Sequence, residues 1–337
     1  MAAKLSPLAS VSETRAVLEA HGLTTKYSLG QNFLVNDAIL QKIVALAQVE
    51  PRDFVLEVGP GIGTLTIALL KHAGRVVSVE RDADLPAVLA ETLAPWSDRF
   101  ALIQKDALDL TSEDLKRASA QLGGGSQEGS APSTKRVPQR SEDCLNDWAV
   151  PTLPAGGPTK LVSNLPYAVA ATVVLDYFQR FASLESATVM VQKEVADRMA
   201  ASPGSKNYGA YTVKLRLYAE PAGRFAVGPG NFFPPPRVES AVLRLNRRTL
   251  RDDAGEPLSP AALEATCLMA DAAFASRRKT LSNSCKTYFA GRGAADAPAP
   301  AELPLVFERA GIDPARRGET LDLEEFIRLG KAYQDAR

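Results

Sequence analysis

The chain has 337 residues, 45% of them hydrophobic and 23% charged, which is an ordinary globular balance. That length allows a large core and a second, smaller unit. Its 39 basic and 39 acidic residues cancel, and a net charge of zero taken alone argues against a nucleic-acid partner. Two histidines and three cysteines with no C-x-x-C spacing leave no zinc or disulfide framework, so no metal is expected. His21 and His72 read as structural or solvated, which leaves Ser–His–Asp chemistry without a base. No apolar run approaches the roughly 18 residues of a membrane span, and the N-terminus has no secretory core. The expectation is a cytoplasmic monomer without a membrane partner.

The first helix is expected around Ser12–Arg15, with Val17 and Leu18 on its apolar face. From Phe54 the pattern alternates strand and helix. It predicts a strand over 54–58, a helix from Thr64 to Leu70 and a strand over 75–80. Asp82 is then expected to cap a helix over 83–93, before a strand over 101–104. This rhythm implies a mostly parallel sheet covered on both faces. It is expected to break at about Ser112. Residues 121–142 and 151–158 are Gly-, Ser- and Pro-rich without apolar period, so 112–158 reads as a flexible insertion with one short helix near 141–148. Order resumes at Lys160 with a strand, a helix over 169–181, a strand over 187–192 and a helix from Lys193. Further strands are expected over 212–218 and 241–245, and the apolar spacings beyond Leu258 suit a small helical bundle. The division that follows is a catalytic domain over 1–250 and a helical domain over 251–337.

Charge is unevenly distributed along this plan. Residues 1–111 carry 10 basic and 13 acidic groups, whereas 160–250 carry 12 and 6. Arg277, Arg278, Lys279, Lys286 and Arg292 form an acid-free run, expected on one helix, that reads as a solvated face or a phosphate-binding surface. Neutrality is therefore a sum of unlike parts.

The strand ending at Val58 runs into Gly59-Pro-Gly61-Ile-Gly63 and then a helix. A strand, a glycine turn and a helix hold a nucleotide at the carboxyl edge of a sheet. Glycines make the tight turn and leave no Cβ in the ligand's way. Three readings are compatible with the loop. A dinucleotide loop is spaced G-x-G-x-x-G; here the spacing is G-x-G-x-G after an acid, Glu57, which suits S-adenosylmethionine. A merely structural turn is the third. Glu80, ending the next strand, can accept from both ribose hydroxyls, and Asp106, after the third, from an adenine amino group or from a helix terminus that it caps.

The strand over 160–164 ends in Asn164-Leu165-Pro166-Tyr167. Methylating an exocyclic amine on a base is difficult because its lone pair is delocalised into the ring. The Asn164 side-chain oxygen and the Leu165 carbonyl can accept from the amine and localise that pair. Pro166 has no N–H and holds the carbonyl outward, and Tyr167 offers a flat face for stacking.

Five motifs occur in one order: Lys26-Tyr-Ser-Leu-Gly-Gln-Asn-Phe-Leu34, Leu56-Glu-Val-Gly-Pro-Gly-Ile-Gly63, Asn164-Leu-Pro-Tyr167, Met190-Val-Gln-Lys-Glu-Val-Ala196 and Asn231-Phe-Phe-Pro-Pro-Pro-Arg-Val-Glu-Ser-Ala-Val242. In these the chain resembles the ribosomal RNA adenine dimethyltransferase family, most closely its bacterial small-subunit (16S) branch associated with kasugamycin sensitivity. The resemblance covers about 24–111 and 160–330. It implies an α/β class-I methyltransferase fold with a Rossmann-like seven-stranded sheet and a small C-terminal helical domain. The implied cofactor is S-adenosyl-L-methionine, with S-adenosyl-L-homocysteine as product. Gln31, Asn32 and Leu34 would close over the methionine end of the donor, the Gly59 loop with Gly61 and Gly63 would hold the methionine, and Glu80 and Asp106 the ribose and adenine. Asn164 would serve both donor and target, and Phe232 would stack on the target base opposite Tyr167. The implied reaction is N6,N6-dimethylation of two adjacent adenosines in a hairpin loop near the 3′ end of small-subunit rRNA, within an immature 30S particle. Arg277, Arg278 and Lys279 are the candidate RNA contacts. The family usually continues the Asn-Leu-Pro-Tyr motif with Asn-Ile and Ser/Thr; Ala168-Val-Ala-Ala-Thr172 departs from this. A large-subunit, macrolide-resistance type of substrate and an assembly factor acting mainly by binding are the alternatives. The glycine spacing argues against an NAD oxidoreductase.

Overall fold

Ser10 opens the first helix: its hydroxyl accepts from the Glu13 amide at 3.2 Å, and α1 runs Val11–Ala20. The computed structural model describes residues 4–26, 30–123, 157–252, 254–290 and 303–336. The expected helix near 141–148 and most of the expected insertion lie outside the described residues. A two-residue strand, β1 (Phe33–Leu34), precedes α2 (Asp37–Ala47), whose start is capped by the Asn36 side chain.

Next comes β2 (Phe54–Val58), with all five residues buried, as a central strand covered on both faces requires. The alternation then proceeds through α3 (Thr64–Leu70), β3 (Arg75–Glu80), α4 (Leu85–Thr92) and β4 (Phe100–Gln104). The expected break at Ser112 is corrected by the structure, in which α5 (Ser112–Gly123) continues the rhythm with acids at its N-terminal turn. Asp82 does not cap the fourth helix either; α4 starts after Asp84, and the Asp82 carboxylate is engaged elsewhere.

After β5 (Lys160–Asn164) come α6 (Ala170–Arg180), β6 (Ser186–Gln192) and α7 (Lys193–Met199). The strand expected over 212–218 is a helix, α8 (Ala210–Arg216), with β7 (Ala219–Val227) following it. A short alternating run supports either period; in the structure it is helical, with Thr212, Val213 and Leu215 buried. The chain closes with β8 (Phe232–Phe233), β9 (Ser240–Arg247), α9 (Pro260–Phe274), α10 (Leu281–Ala290), α11 (Leu303–Ala310) and α12 (Leu323–Gln334).

The seven-stranded sheet has the order β4-β3-β2-β5-β6-β9-β7, and its first five strands pair in parallel. Strand β2 pairs with β3 on one side and β5 on the other, so the winding direction reverses there. Such a switch point opens a crevice at the carboxyl ends of the two strands. A separate antiparallel pair joins β1 to β8, with Phe33 opposite Phe233 and Leu34 opposite Phe232.

Two compact units are present. One comprises Met1–Val173, Phe181–Val191 and Phe225–Val242 and is built around residues such as Leu40, Ile62, Leu69 and Val88. The other comprises Val174–Arg180, Gln192–Arg224 and Leu243–Arg337, with Met269, Leu281, Phe307 and Phe326 in its core. It thus takes in more than residues 251–337. Among the described residues no helix is long and apolar enough to cross a membrane, and no cluster of three metal-ligating side chains occurs.

Candidate active site

The turn after β2 is dictated by backbone conformation. Gly59, Gly61 and Gly63 all have positive φ, at 70°, 60° and 90°, which L-residues rarely adopt. Space is tight at Gly61, where a Cβ would lie 3.0 Å from the Phe33 ring, whereas a Cβ on Gly59 would make ordinary contact with Pro166 at 3.5 Å. Two motifs more than 100 residues apart, the glycine loop and Asn164–Tyr167, therefore meet at the switch point. A backbone turn held by three positive-φ glycines, next to an acid ending β3, fits a nucleoside-bearing methyl donor.

The acids differ sharply in their surroundings. Glu57 is 1% exposed, and its Oε2 accepts from the Thr66 hydroxyl at 2.7 Å and the Ser78 hydroxyl at 2.8 Å. Burial pushes its carboxyl up to about 7 despite those two donors. It braces α3 and β3 against β2 from below the loop, so contact with a ligand is indirect. Glu80 is also buried and raised by desolvation, offset by backbone donors from Asp82, Arg81 and Gly61. Through the Gly61 amide it is tied to the loop itself. Asp106 caps a 3-10 turn at the Leu108 amide, 3.0 Å away, and accepts from Arg81 at 3.1 Å. Those contacts, the Leu108 amide foremost, hold its carboxyl below the usual range. Capping and a ligand role coexist there, because Asp106 remains partly exposed.

The segment around β1 lies along this edge. Gln31 donates to Asp82 Oδ2 at 2.8 Å, and Asn32 donates from its side chain to the Gly30 carbonyl at 2.9 Å. Leu34 is buried in the β1–β8 pair.

At the end of β5 the Asn164 side chain donates from Nδ2 to the Asn32 carbonyl at 3.1 Å. A carbonyl can only accept, so this contact fixes the amide orientation and leaves Oδ1 to accept. Among the described residues none donates to Asn164 Oδ1 or to the Leu165 carbonyl. The Leu165 amide is held by Met190, and the Pro166 carbonyl accepts from Val169 and Ala170 to start α6. Tyr167 is half-buried, with its hydroxyl 2.8 Å from Ser240 Oγ, and burial raises its phenol. Phe232 is 3% exposed and packs into the core, so the open ring face expected of it is not present. Its neighbour Phe233 is partly exposed, with the Arg15 guanidinium 5.3 Å from its ring centroid.

The basic run of the second unit differs from its expected form. Arg277, Arg278 and Lys279 are exposed but lie in the turn between α9 and α10 rather than on a helix. Nor is the cluster acid-free in space: Arg277 pairs with Glu319 at 3.0 Å and donates to the Ser205 carbonyl at 3.3 Å. Arg278 and Lys279 have no side-chain partner among the described residues. Lys286 is on α10, and Arg292 lies outside the described residues. The histidines are structural: His21 sits 3.0 Å from Glu91, and His72 bonds the Ala68 carbonyl. Cys267 and Cys285 are unpaired, with thiols pushed up by burial to about 11 and about 12.

Four residues of this site escaped sequence reasoning: Lys26, Phe33, Asp82 and Ser240. Lys26 and Phe33 were inside a motif but carried no individual chemistry, and Asp82 had the position of a helix cap.

A Rossmann-like sheet with a glycine cradle at its switch point and a Glu80-type acid defines a class-I S-adenosylmethionine-dependent methyltransferase. The chain belongs to the ribosomal RNA adenine dimethylase family, whose model matches residues 22–327. It is 38% identical over 325 residues to ribosomal RNA small subunit methyltransferase A of Streptomyces griseus, covering 95% of this chain and 93% of that one. The Staphylococcus aureus strain Newman protein of the same name is 35% identical over 324 residues, covering 96% and 94%. In fold it is similar to a dimethyladenosine transferase from Plasmodium falciparum, with a TM-score of 0.63 at 20% identity over 88% of this chain and 95% of that one. The 23S rRNA methyltransferase ErmE superposes with a TM-score of 0.58 at 23% identity, covering 90% and 100%. The protein is an rRNA adenine dimethyltransferase that uses S-adenosylmethionine.

Proposed function

We propose that the enzyme dimethylates N6 of two adjacent adenosines in a hairpin loop near the 3′ end of small-subunit (16S) rRNA, acting as a cytoplasmic monomer on an immature 30S particle. The substrate part of this reading is supported by relatives at 35–38% identity that bear the small-subunit name and align over nearly their whole length. A role in ribosome biogenesis goes with it.

The single observation that carries the chemistry is the orientation of Asn164, whose amide is pinned by Asn32 so that Oδ1 is left to accept. Together with the Leu165 carbonyl it would accept hydrogen bonds from the target amine and direct the nitrogen lone pair outward. Tyr167, steadied by Ser240, would stack on the flipped base. Phe232, buried opposite Leu34, would support the site by holding the β1–β8 pair. When bound, S-adenosylmethionine supplies an electrophilic methyl group. The Gly59, Gly61 and Gly63 backbone, Glu80, Asp106 and the 31–34 segment would hold it, with Glu57 supporting the loop. No strong base is needed, because the amine loses its proton readily only once methylated; catalysis rests on orientation and desolvation.

The test supplies labelled methyl donor with unmethylated small subunits, large subunits and naked RNA, and maps the modified adenines. Dimethyladenosine at two adjacent small-subunit positions is expected. Transfer confined to large subunits would replace this reading with the large-subunit one.

A further inference from the structure

Asp82 was expected to be a helix cap, and its actual contacts are unusual for one. The residue is 6% exposed, and its carboxylate accepts three contacts while its backbone amide makes a fourth. Oδ1 takes the Lys26 ammonium at 2.5 Å and the Asp84 amide at 3.1 Å; Oδ2 takes the Gln31 side-chain amide at 2.8 Å. The fourth interaction runs the other way, since the Asp82 amide donates to Glu80 Oε1 at 2.8 Å. Lys26 and Gln31 are themselves joined: the Lys26 amide donates to Gln31 Oε1 at 2.9 Å. The Lys26 ammonium also reaches Asp84 at 2.5 Å, and the two carboxylates raise its pKa, the Asp82 bond most.

We infer that Asp82 is a positioning residue for the methyl-donor site, coupling Glu80 to the motif that carries Gln31, Asn32 and Phe33. The physical reason is connectivity. Three consecutive residues of that motif each touch a different part of the cradle: Gln31 reaches Asp82, Asn32 accepts from Asn164, and Phe33 packs on Gly61. Of the three, only the Asp82 contact is made to a charged group, on a residue that is itself buried; Asp82 and Gly61 both donate to Glu80. Removing that charge should loosen Gln31 and Lys26 together and relax Glu80. A bystander carboxylate would instead affect stability alone. A bond to a charged group is worth enough to change affinity roughly tenfold when lost.

This inference rests on the proposed donor-binding role of Glu80 and the 31–34 segment. The experiment measures S-adenosylhomocysteine affinity by calorimetry on the full chain carrying Asp82→Asn, Gln31→Ala, both together, or Glu80→Gln, with the melting temperature of each. Expected results are roughly tenfold weaker binding for Asp82→Asn and a double variant no weaker than the worse single one, since both break one link. Lys26→Met breaks the same link from its more exposed end and should weaken binding in the same direction, which covers a failure of Asp82→Asn to fold. If Glu80→Gln weakens binding while Asp82→Asn and Lys26→Met do not, the inference about Asp82 is overturned and the site reading stands. Additive losses in the double variant would also overturn it. If Glu80→Gln has no effect, the site reading fails and the inference falls with it.

Discussion

Two stretches of one sheet edge handle polar groups in opposite ways. On the proposed donor side, beyond β2 and β3, Glu57, Glu80 and Asp82 are buried and each already accepts several hydrogen bonds from the protein. On the proposed target side, beyond β5, Asn164 Oδ1 and the Leu165 carbonyl accept from no described residue. The difference is physical: a buried carboxylate without donors is costly, so the donor cradle is preorganised by its own protein partners. The target side holds its acceptors by what lies behind them, the Asn164 Nδ2 contact and the Leu165 amide. Rigid support on one side and acceptors without a donor among the described residues on the other suit an enzyme with one constant donor and a base that must enter from RNA.

Breaking the target side should cost most. Asn164→Ala removes an acceptor aimed at the amine, and single-turnover methyl transfer to unmethylated small subunits should fall about 100-fold or more. RNA binding should persist; near-normal transfer would erase the distinction between the two sides. Tyr167→Ala comes next, with loss of base stacking worth about 1–3 kcal/mol, read as reduced kcat/KM. Tyr167→Phe, which loses only the Ser240 contact, should be milder.

The donor side should respond in stability and pH. Burial raises Glu57 from 4.5 to about 7, so its protonated form is favoured in the folded state. Its stabilising contribution is then fully present below about pH 4.5 and lost as pH rises through about 7. Denaturant unfolding at pH 5 and pH 7.5 should show a loss on the order of 1–2 kcal/mol that Glu57→Gln, which cannot ionise, abolishes. An identical pH dependence in both proteins would remove Glu57 from this account. The smallest effect is expected outside both regions. Arg278→Glu with Lys279→Glu should weaken rRNA binding and shallow its salt dependence by about one unit of slope per lost phosphate contact. Arg277 is left intact in that variant because its pair with Glu319 is structural.

The sheet is legible in the sequence because its strands are short apolar runs punctuated by glycine and acid: 54–58, 75–80 and 160–164 fall where the periodicity puts them. The strand reading of 212–218 fails because Thr212-Val-Lys-Leu-Arg-Leu-Tyr218 alternates polar and apolar as a strand does, over a length too short to separate helix from strand. Asp82 was misread because a helix cap is a local inference, whereas its partner Lys26 is 56 residues away. The basic run was assigned to a helix because sequence adjacency carries no information about Glu319, 42 residues on.

What the sequence determined by itself was the set of chemistries: a glycine loop with following acids, an Asn-Leu-Pro-Tyr strand end, and a charge balance made of unlike segments. Local pattern suffices for these because turn geometry and strand period are set by neighbouring residues. Tertiary structure alone decided which atoms remain available, turning Glu57 and Phe232 inward, engaging Asp82 and orienting Asn164. Burial and hydrogen-bond partnership depend on distant chain segments arriving at one place, and β2 meeting β5 at the switch point is what brings them there.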